Sequence, residues 1–313
     1  FFNEVTDVAG GLLVRAKDMF VTIAPDVWRL RDTNGDGLPD QKTSISNGYA
    51  VHIGFSGHGM SNPIEGPDGK IYWNIGDIGA NITTAEGINH RYPNEGIIAR
   101  ANPDGSDFEV FAHGLRNTHE FVFDDYGNLI SSDNDGDHTG MVYNPGTALG
   151  SAWKNKFFLV EFVGNPARSP IWSFGLKPKG ASFVLDGEQA VLTGILPTGI
   201  RFGPDGALYV ADWINGWGTK NYGRVWKLDV TPEKADLKAE RAETKRLMGL
   251  DYAAQTVNAL EKLLAYPDQR IRLKAQFELA GRGAAGMAVF AKAIAQRESQ
   301  LARIHGIWGT GQL

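Results

Sequence analysis

Nine residues near the start of the chain, Asp32-Thr33-Asn34-Gly35-Asp36-Gly37-Leu38-Pro39-Asp40, set oxygen-bearing side chains at alternate positions. Asp32, Asn34 and Asp36 stand first, third and fifth, the Leu38 main-chain carbonyl seventh and Asp40 ninth, with Gly37 allowing a sharp bend. A hard cation takes about 6–8 oxygens, so this pattern is that of a calcium loop. Thr43 occupies the twelfth position, where an EF-hand has Glu, so the expectation is a shorter, structural calcium site rather than an EF-hand. An acidic turn that binds nothing is the alternative.

A second group is a pair of short segments. His58, in Gly57-His58-Gly59-Met60, precedes the turn Gly66-Pro67-Asp68-Gly69 by eight residues. Arg116 and Asn117, in Gly114-Leu115-Arg116-Asn117, stand a similar distance before Asp125-Tyr126-Gly127. Each has a structural alternative. Arg116 could bond the carbonyls of a connecting loop, Asn117 could cap a turn, and His58 could be a buried hydrogen-bonder.

The elements that must position these residues announce themselves by repetition. Gly66-Pro67-Asp68-Gly69-Lys70-Ile71-Tyr72, Asp124-Asp125-Tyr126-Gly127-Asn128-Leu129-Ile130 and Gly203-Pro204-Asp205-Gly206-Ala207-Leu208-Tyr209 are each a tight turn entering a strand. A repeated turn-plus-strand unit points to a β-propeller, whose loops at one end of a central axis carry function. Inner strands are expected near Met19–Ile23, Ile71–Ile75, Leu129–Ser132, Phe157–Phe162 and Leu208–Ala211, giving at least five blade-like units over 1–230. Trp28, Trp172 and Trp226 belong to following strands and read as packing residues. Asp77 and Asp212, at inner-strand ends, read as ties between neighbouring turns. The short interval from Asp133 to Val142 leaves either a truncated blade or a gap in the chain near 140.

After Thr231-Pro232 the apolar spacing turns helical, with Pro267-Asp268 and Gly281-Arg282-Gly283 as breaks. Helix pairs with an Asp ahead of the second helix resemble HEAT repeats, so 231–313 is expected to be a helical repeat region. The opening Phe1-Phe2 and the stop inside a repeat give the expectation of a piece of a longer protein.

Composition narrows the function classes. Of 313 residues, 42% are hydrophobic and 21% charged, which is ordinary for a globular chain. Residues 1–230 carry 18 Lys+Arg against 27 Asp+Glu and the remainder 13 against 9, so an acidic body precedes a mildly basic tail. That balance disfavours nucleic acid as a partner. No run approaches the about 20 apolar residues of a membrane span. With no cysteine, disulfides, thiolate metal sites and covalently attached haem are excluded within this span.

The run from Gly57 to Gly79 with that from Gly114 to His138 resembles the glucose/sorbosone dehydrogenase family, six-bladed propellers that use pyrroloquinoline quinone and calcium. With the helical tail, the chain is similar to large secreted propeller–HEAT proteins of planctomycete-type bacteria, many ending in a cytochrome c domain. The resemblance implies a six-bladed β-propeller followed by HEAT-like repeats, and a periplasmic or extracellular location. It implies oxidation of a sugar or polyol, with electrons passing to a cytochrome c domain or protein. On the same ground His58 would be the general base, with Arg116 stabilising charge on the quinone and Arg116 and Asn117 contacting it. Arg168 would be the nearest cation of a later blade, with Arg201 a substitute. Asn134, Asp135 and Gly136 would hold an axial calcium. His119 and Glu120 could reach the axial mouth. The chain departs from the pattern at Leu196 and Thr198, where cations for the quinone carboxylates would fall. A non-catalytic calcium-binding scaffold, with the HEAT helices docking a protein partner, is therefore the alternative; a hydrolytic propeller has no nucleophile to support it.

Overall fold

The structure is a computed structural model and describes residues 9–15, 17–54, 56–133, 138–214 and 223–313. Contacts divide the chain into two compact units, 1–121 with 131–138, and 122–130 with 139–313. The change from strands to helices near Thr231 lies inside the second unit.

In the first unit, β1 (Gly11–Arg15), β2 (Asp18–Ile23), β3 (Asp26–Arg31) and β4 (Gln41–Asn47) form an antiparallel meander. A second sheet takes β5 (Met60–Glu65), β6 (Ile71–Ile75), β9 (Gly96–Ala101) and β10 (Glu109–Leu115) in the order β10-β9-β6-β5. Between β6 and β9 the chain inserts a separate hairpin, β7 (Ala80–Thr83) and β8 (Asn89–Tyr92). All five residues of β6 are buried, and Trp73 donates its indole N–H to the Tyr49 hydroxyl at 2.7 Å in the core shared by the two sheets. A strand buried on both faces is what stacked propeller sheets require, and it explains why Ile71–Ile75 lacks polar alternation.

The hairpin β11 (Thr118–Phe123) and β12 (Leu129–Asp133) follows, its turn assigned to the second unit. Next come β13 (His138–Tyr143), β14 (Phe157–Glu161), β15 (Ile171–Lys179) and β16 (Ser182–Leu192) as one sheet, then β17 (Pro197–Phe202), β18 (Leu208–Asp212) and β19 (Arg224–Leu228) as another. The five expected inner strands are β2, β6, β12, β14 and β18. The expectation of six blades is corrected: the described residues contain four blade-sized sheets. The physical reason lies at β12, which among the described residues pairs with β11 alone, because the strand after it, β13, pairs with β14 in the next sheet.

The repeated turns are built alike. Gly69, Gly127 and Gly206, all at φ near +80°, donate back to Gly66, Asp124 and Gly203. In the outer two repeats the Asp carboxylate accepts from Tyr72 (2.8 Å) or Tyr209 (3.0 Å). A Cβ at Gly66 or Gly203 would lie 2.3 or 2.5 Å from that Tyr ring, so the ring itself demands glycine there. In the middle repeat Ile130 replaces the Tyr, and Asp124 is accommodated at the same position.

The helices are α1 (Lys238–Met248), α2 (Val257–Leu263), α3 (Gln269–Gly281), α4 (Ala284–Ala295) and α5 (Gln300–Gly311). Thr256, Asp268 and Ser299 cap α2, α3 and α5 by accepting from first-turn amides. Within their unit the helices grip two of the repeated turns. Arg241 donates to the Asp205 carbonyl and Arg270 to that of Gly203, while Gln269 donates to the Asp124 carbonyl at 2.7 Å. Arg272, fully buried, pairs with Asp125 and also donates Nε to His305 Nε2 at 3.0 Å.

Candidate functional site

Two loops meet at the end of β6. Gly76 N donates to the His58 carbonyl (3.0 Å) and Asp77 N donates to the Arg116 carbonyl (2.7 Å). The loop before β5 and the loop between β10 and β11 are thereby stitched to consecutive residues, which brings His58 and Arg116-Asn117 together in the first unit. Close approach depends on Gly76. A Cβ there would lie 2.7 Å from Asn117 Oδ1 and from the His58 carbonyl oxygen, closer than real Cβ contacts allow.

Asp77 is the residue whose role spacing alone could not show. Its main chain ties the Arg116 loop as expected of a strand-end Asp, but its carboxylate accepts from His58 Nδ1 at 2.6 Å. The His58 side chain is 8% exposed and that of Asp77 37%. An ionised carboxylate accepts only, so Nδ1 carries the ring proton and Nε2 is the basic nitrogen of neutral His58. A carboxylate behind an imidazole also stabilises the imidazolium that forms when Nε2 takes a proton. His58 and Asp77 are nineteen residues apart on different elements, and no local motif links them.

Asp133 supports the opposite wall. Its carboxylate accepts from the main-chain N–H groups of Arg116 (3.1 Å) and Asn117 (2.8 Å), which fixes the backbone of both residues. Asn117 is buried, and its Nδ2 donates to the Gly57 carbonyl (3.2 Å) and to His119 Nε2 (3.1 Å). Its Oδ1 is buried without a hydrogen-bond partner among the described residues. Arg116 is exposed. The start of β11 is pinned in turn, with Ser61 Oγ donating to the His119 carbonyl at 2.6 Å and Asn74 donating to that of Thr118. Burial, with the nearby His58 as a smaller cause, holds the His119 imidazole below its ordinary pKa.

Other expected site residues fall elsewhere. Arg168 is exposed at the end of a short 3₁₀ turn, Pro166–Arg168, in the second unit. Leu196 is fully buried there, its N–H donating to Asp212 Oδ1 at 3.0 Å; Asp212 also accepts from Ile214 N and Trp226 Nε1, and so does tie turns together. Trp226 itself is 40% exposed, with Arg224 over its ring, rather than a fully packed residue. Asn134, Asp135 and Gly136 lie outside the described residues.

The Asp32–Asp40 loop connects β3 to β4. Asp32 accepts from Gly35 N (2.6 Å) and Gly37 N (2.8 Å), Asn34 Oδ1 from Asp36 N (2.9 Å) and Asp36 from Leu38 N (2.8 Å). Asp40 accepts from the Thr33 hydroxyl (2.6 Å). The Gly37 and Gly35 amides hold the Asp32 carboxyl below the usual range. The donors have the chemistry calcium needs, and they also accept from the loop's own N–H groups. Among the described residues no three carboxylate or imidazole side chains form a metal-binding group.

Comparison with known proteins places the fold. A family model described as a domain of unknown function (DUF7133) matches residues 1–156. No curated protein matches the chain. Among solved structures, a glucose dehydrogenase is similar at TM-score 0.52 and 14% identity, over 72% of this chain and 83% of that one. An oxidoreductase of Thermus thermophilus described as a glucose dehydrogenase is similar at TM-score 0.51 and 16% identity, over 72% and 84%. A third structure, also a glucose dehydrogenase, gives TM-score 0.50 at 13% identity over 72% and 84%. At these identities the likeness is one of fold: a mainly β chain of the sugar-dehydrogenase propeller type, with a C-terminal helical region.

Proposed function

We propose that this chain is a propeller-type dehydrogenase that oxidises a sugar or polyol, with His58 as the general base. The observation that supports it is the His58–Asp77 pair beside Arg116 and Asn117, in a fold shared with glucose dehydrogenases. His58 Nε2 takes the proton of the substrate hydroxyl, and Asp77 holds the ring and stabilises its positive charge. Asp133 fixes the backbone of Arg116 and Asn117 where their loop is bonded to Asp77 at the end of β6. These residues fit the reacting end of pyrroloquinoline quinone, given the buried Asn117 acceptor left without a hydrogen-bond partner among the described residues. When bound, the quinone supplies a two-electron acceptor. Asn134, Asp135 and Gly136 are proposed as carriers of an axial calcium. A cytochrome c domain or protein as electron acceptor, a periplasmic or extracellular setting and a HEAT character for the helices complete the reading. No helix among the described residues is long and apolar enough to cross a membrane.

The test is titration of the purified chain with pyrroloquinoline quinone, with and without added calcium. Stoichiometric binding lost on Arg116→Ala, and sugar oxidation reduced by on the order of 10²–10⁴-fold in Asp77→Asn, would support the reading. Absence of binding would leave the scaffold reading, which Leu196 and Thr198 at the positions expected to be cationic favour.

A further inference from the structure

His119 is the half-buried imidazole of this site that the proposed reaction does not use. Its surroundings settle its chemical form. The Gly57 carbonyl can only accept, so the Asn117 group facing it must be the NH₂, and that same NH₂ lies 3.1 Å from His119 Nε2. A donor opposite Nε2 requires a lone pair there, which puts the ring proton on Nδ1. We propose that His119 is a positioning residue: a neutral, Nδ1-protonated imidazole whose Nε2 fixes the orientation of Asn117. Asn117 as a cofactor contact rests on the function proposed above; its fixing by His119 does not.

The geometry explains why two histidines share one site without sharing one role. His58 has a carboxylate behind it and is built to become positive. His119 has an amide donor before it, so protonation of Nε2 would set N–H against N–H and release Asn117. The charged and titratable groups around it act in both senses, cations opposing a proton on His119 and carboxylates favouring it. His58, on the loop before β5, becomes cationic during turnover and opposes a second positive charge, with Asp77 beyond it committed to His58. Arg116, on its own segment, is the fixed cation, its main chain held by Asp133 from β12, and Glu120 is its neighbour in sequence. Burial adds the largest contribution. The proton taken from substrate therefore stays on the His58–Asp77 pair.

Long-range ¹H–¹⁵N correlation of the full chain, with His119 assigned through His119→Gln, tests the chemical form directly. The expected result is an unprotonated Nε2, a protonated Nδ1 and a midpoint below about 6.5. A protonated Nε2, or a midpoint at or above that value, would overturn the proposal. Titration with pyrroloquinoline quinone tests the consequence. His119→Ala should weaken binding by about tenfold, and His119→Gln, which keeps an acceptor, should restore most of it and abolish the weakening in acid. Wild-type affinity in His119→Ala would also overturn it. If that variant does not fold, His119→Gln and the wild-type spectrum decide. A wild-type chain that binds no quinone but shows the expected tautomer would remove the proposed function and leave the positioning role standing.

Discussion

Gly76 is the residue on which the meeting of the two site loops depends. It has ordinary backbone torsions, so its requirement is purely one of space: Asn117 Oδ1 and two atoms of His58 occupy the volume a methyl would need. Gly76→Ala should therefore lower stability by about 1–3 kcal/mol through forced backbone shifts, read as a lower denaturant midpoint. Gly199→Ala in β17, where nothing lies within 4 Å of the added carbon, is the control and should be neutral or slightly stabilising. An equal loss in both would show that the site does not crowd Gly76.

At the scale of elements, the helices are fastened to the turn of the β11–β12 hairpin by a buried polar network. Arg272 bonds the carbonyls of Tyr266 and Pro267, pairs with Asp125 and donates to His305, whose Nδ1 donates to Gln276 at 2.7 Å. Removing one member strands buried charge, so Arg272→Ala should cost about 3–5 kcal/mol, measured by urea unfolding. The network also sets a pH dependence. Burial and the adjacent Arg272 push the His305 pKa well below its ordinary value. The folded state thus binds a proton on His305 less readily than the unfolded chain. Its contribution to stability is complete above about pH 6.5 and declines below it, by up to about 1.4 kcal/mol per pH unit. His305→Gln should flatten that acid limb of the stability curve; an unchanged slope would mean another group titrates there.

For the molecule as a whole, the helices belong with the strands of the second unit rather than forming a body of their own. Asp236 holds Ser151, Arg241 and Arg270 hold the Gly203–Gly206 turn, and Trp308 covers Gly127. Deletion of residues 231–313 should accordingly raise hydrogen exchange in β17, β18 and the Asp124–Asn128 turn, while β6 and β9, whose core lies in the first unit, keep their protection. Uniform loss of protection would instead mean one cooperative body.

Much of this was legible in the order of residues. The turn repeats, the five strands at the expected positions, the switch to helices after Thr231 and the Asp268 ahead of α3 are local matters, decided by φ preferences, short-range hydrogen bonds and apolar period. The neighbourhood of His58 with Arg116-Asn117 was legible too, because each stands at a similar offset before a repeat of one unit. Blade number was not, since it turns on whether β13 pairs backward with β12 or forward with β14, and both pairings satisfy the same local pattern. Nor were the carboxylate behind His58, the one beneath Arg116, or the tautomer of His119. Those depend on which distant backbone amides and carbonyls a side chain finds in space, and burial then gives each such choice its energetic weight. The Asp32–Asp40 loop shows the same division: its oxygens are written in the sequence, but which of its own amides each oxygen accepts from was decided only by the folded loop.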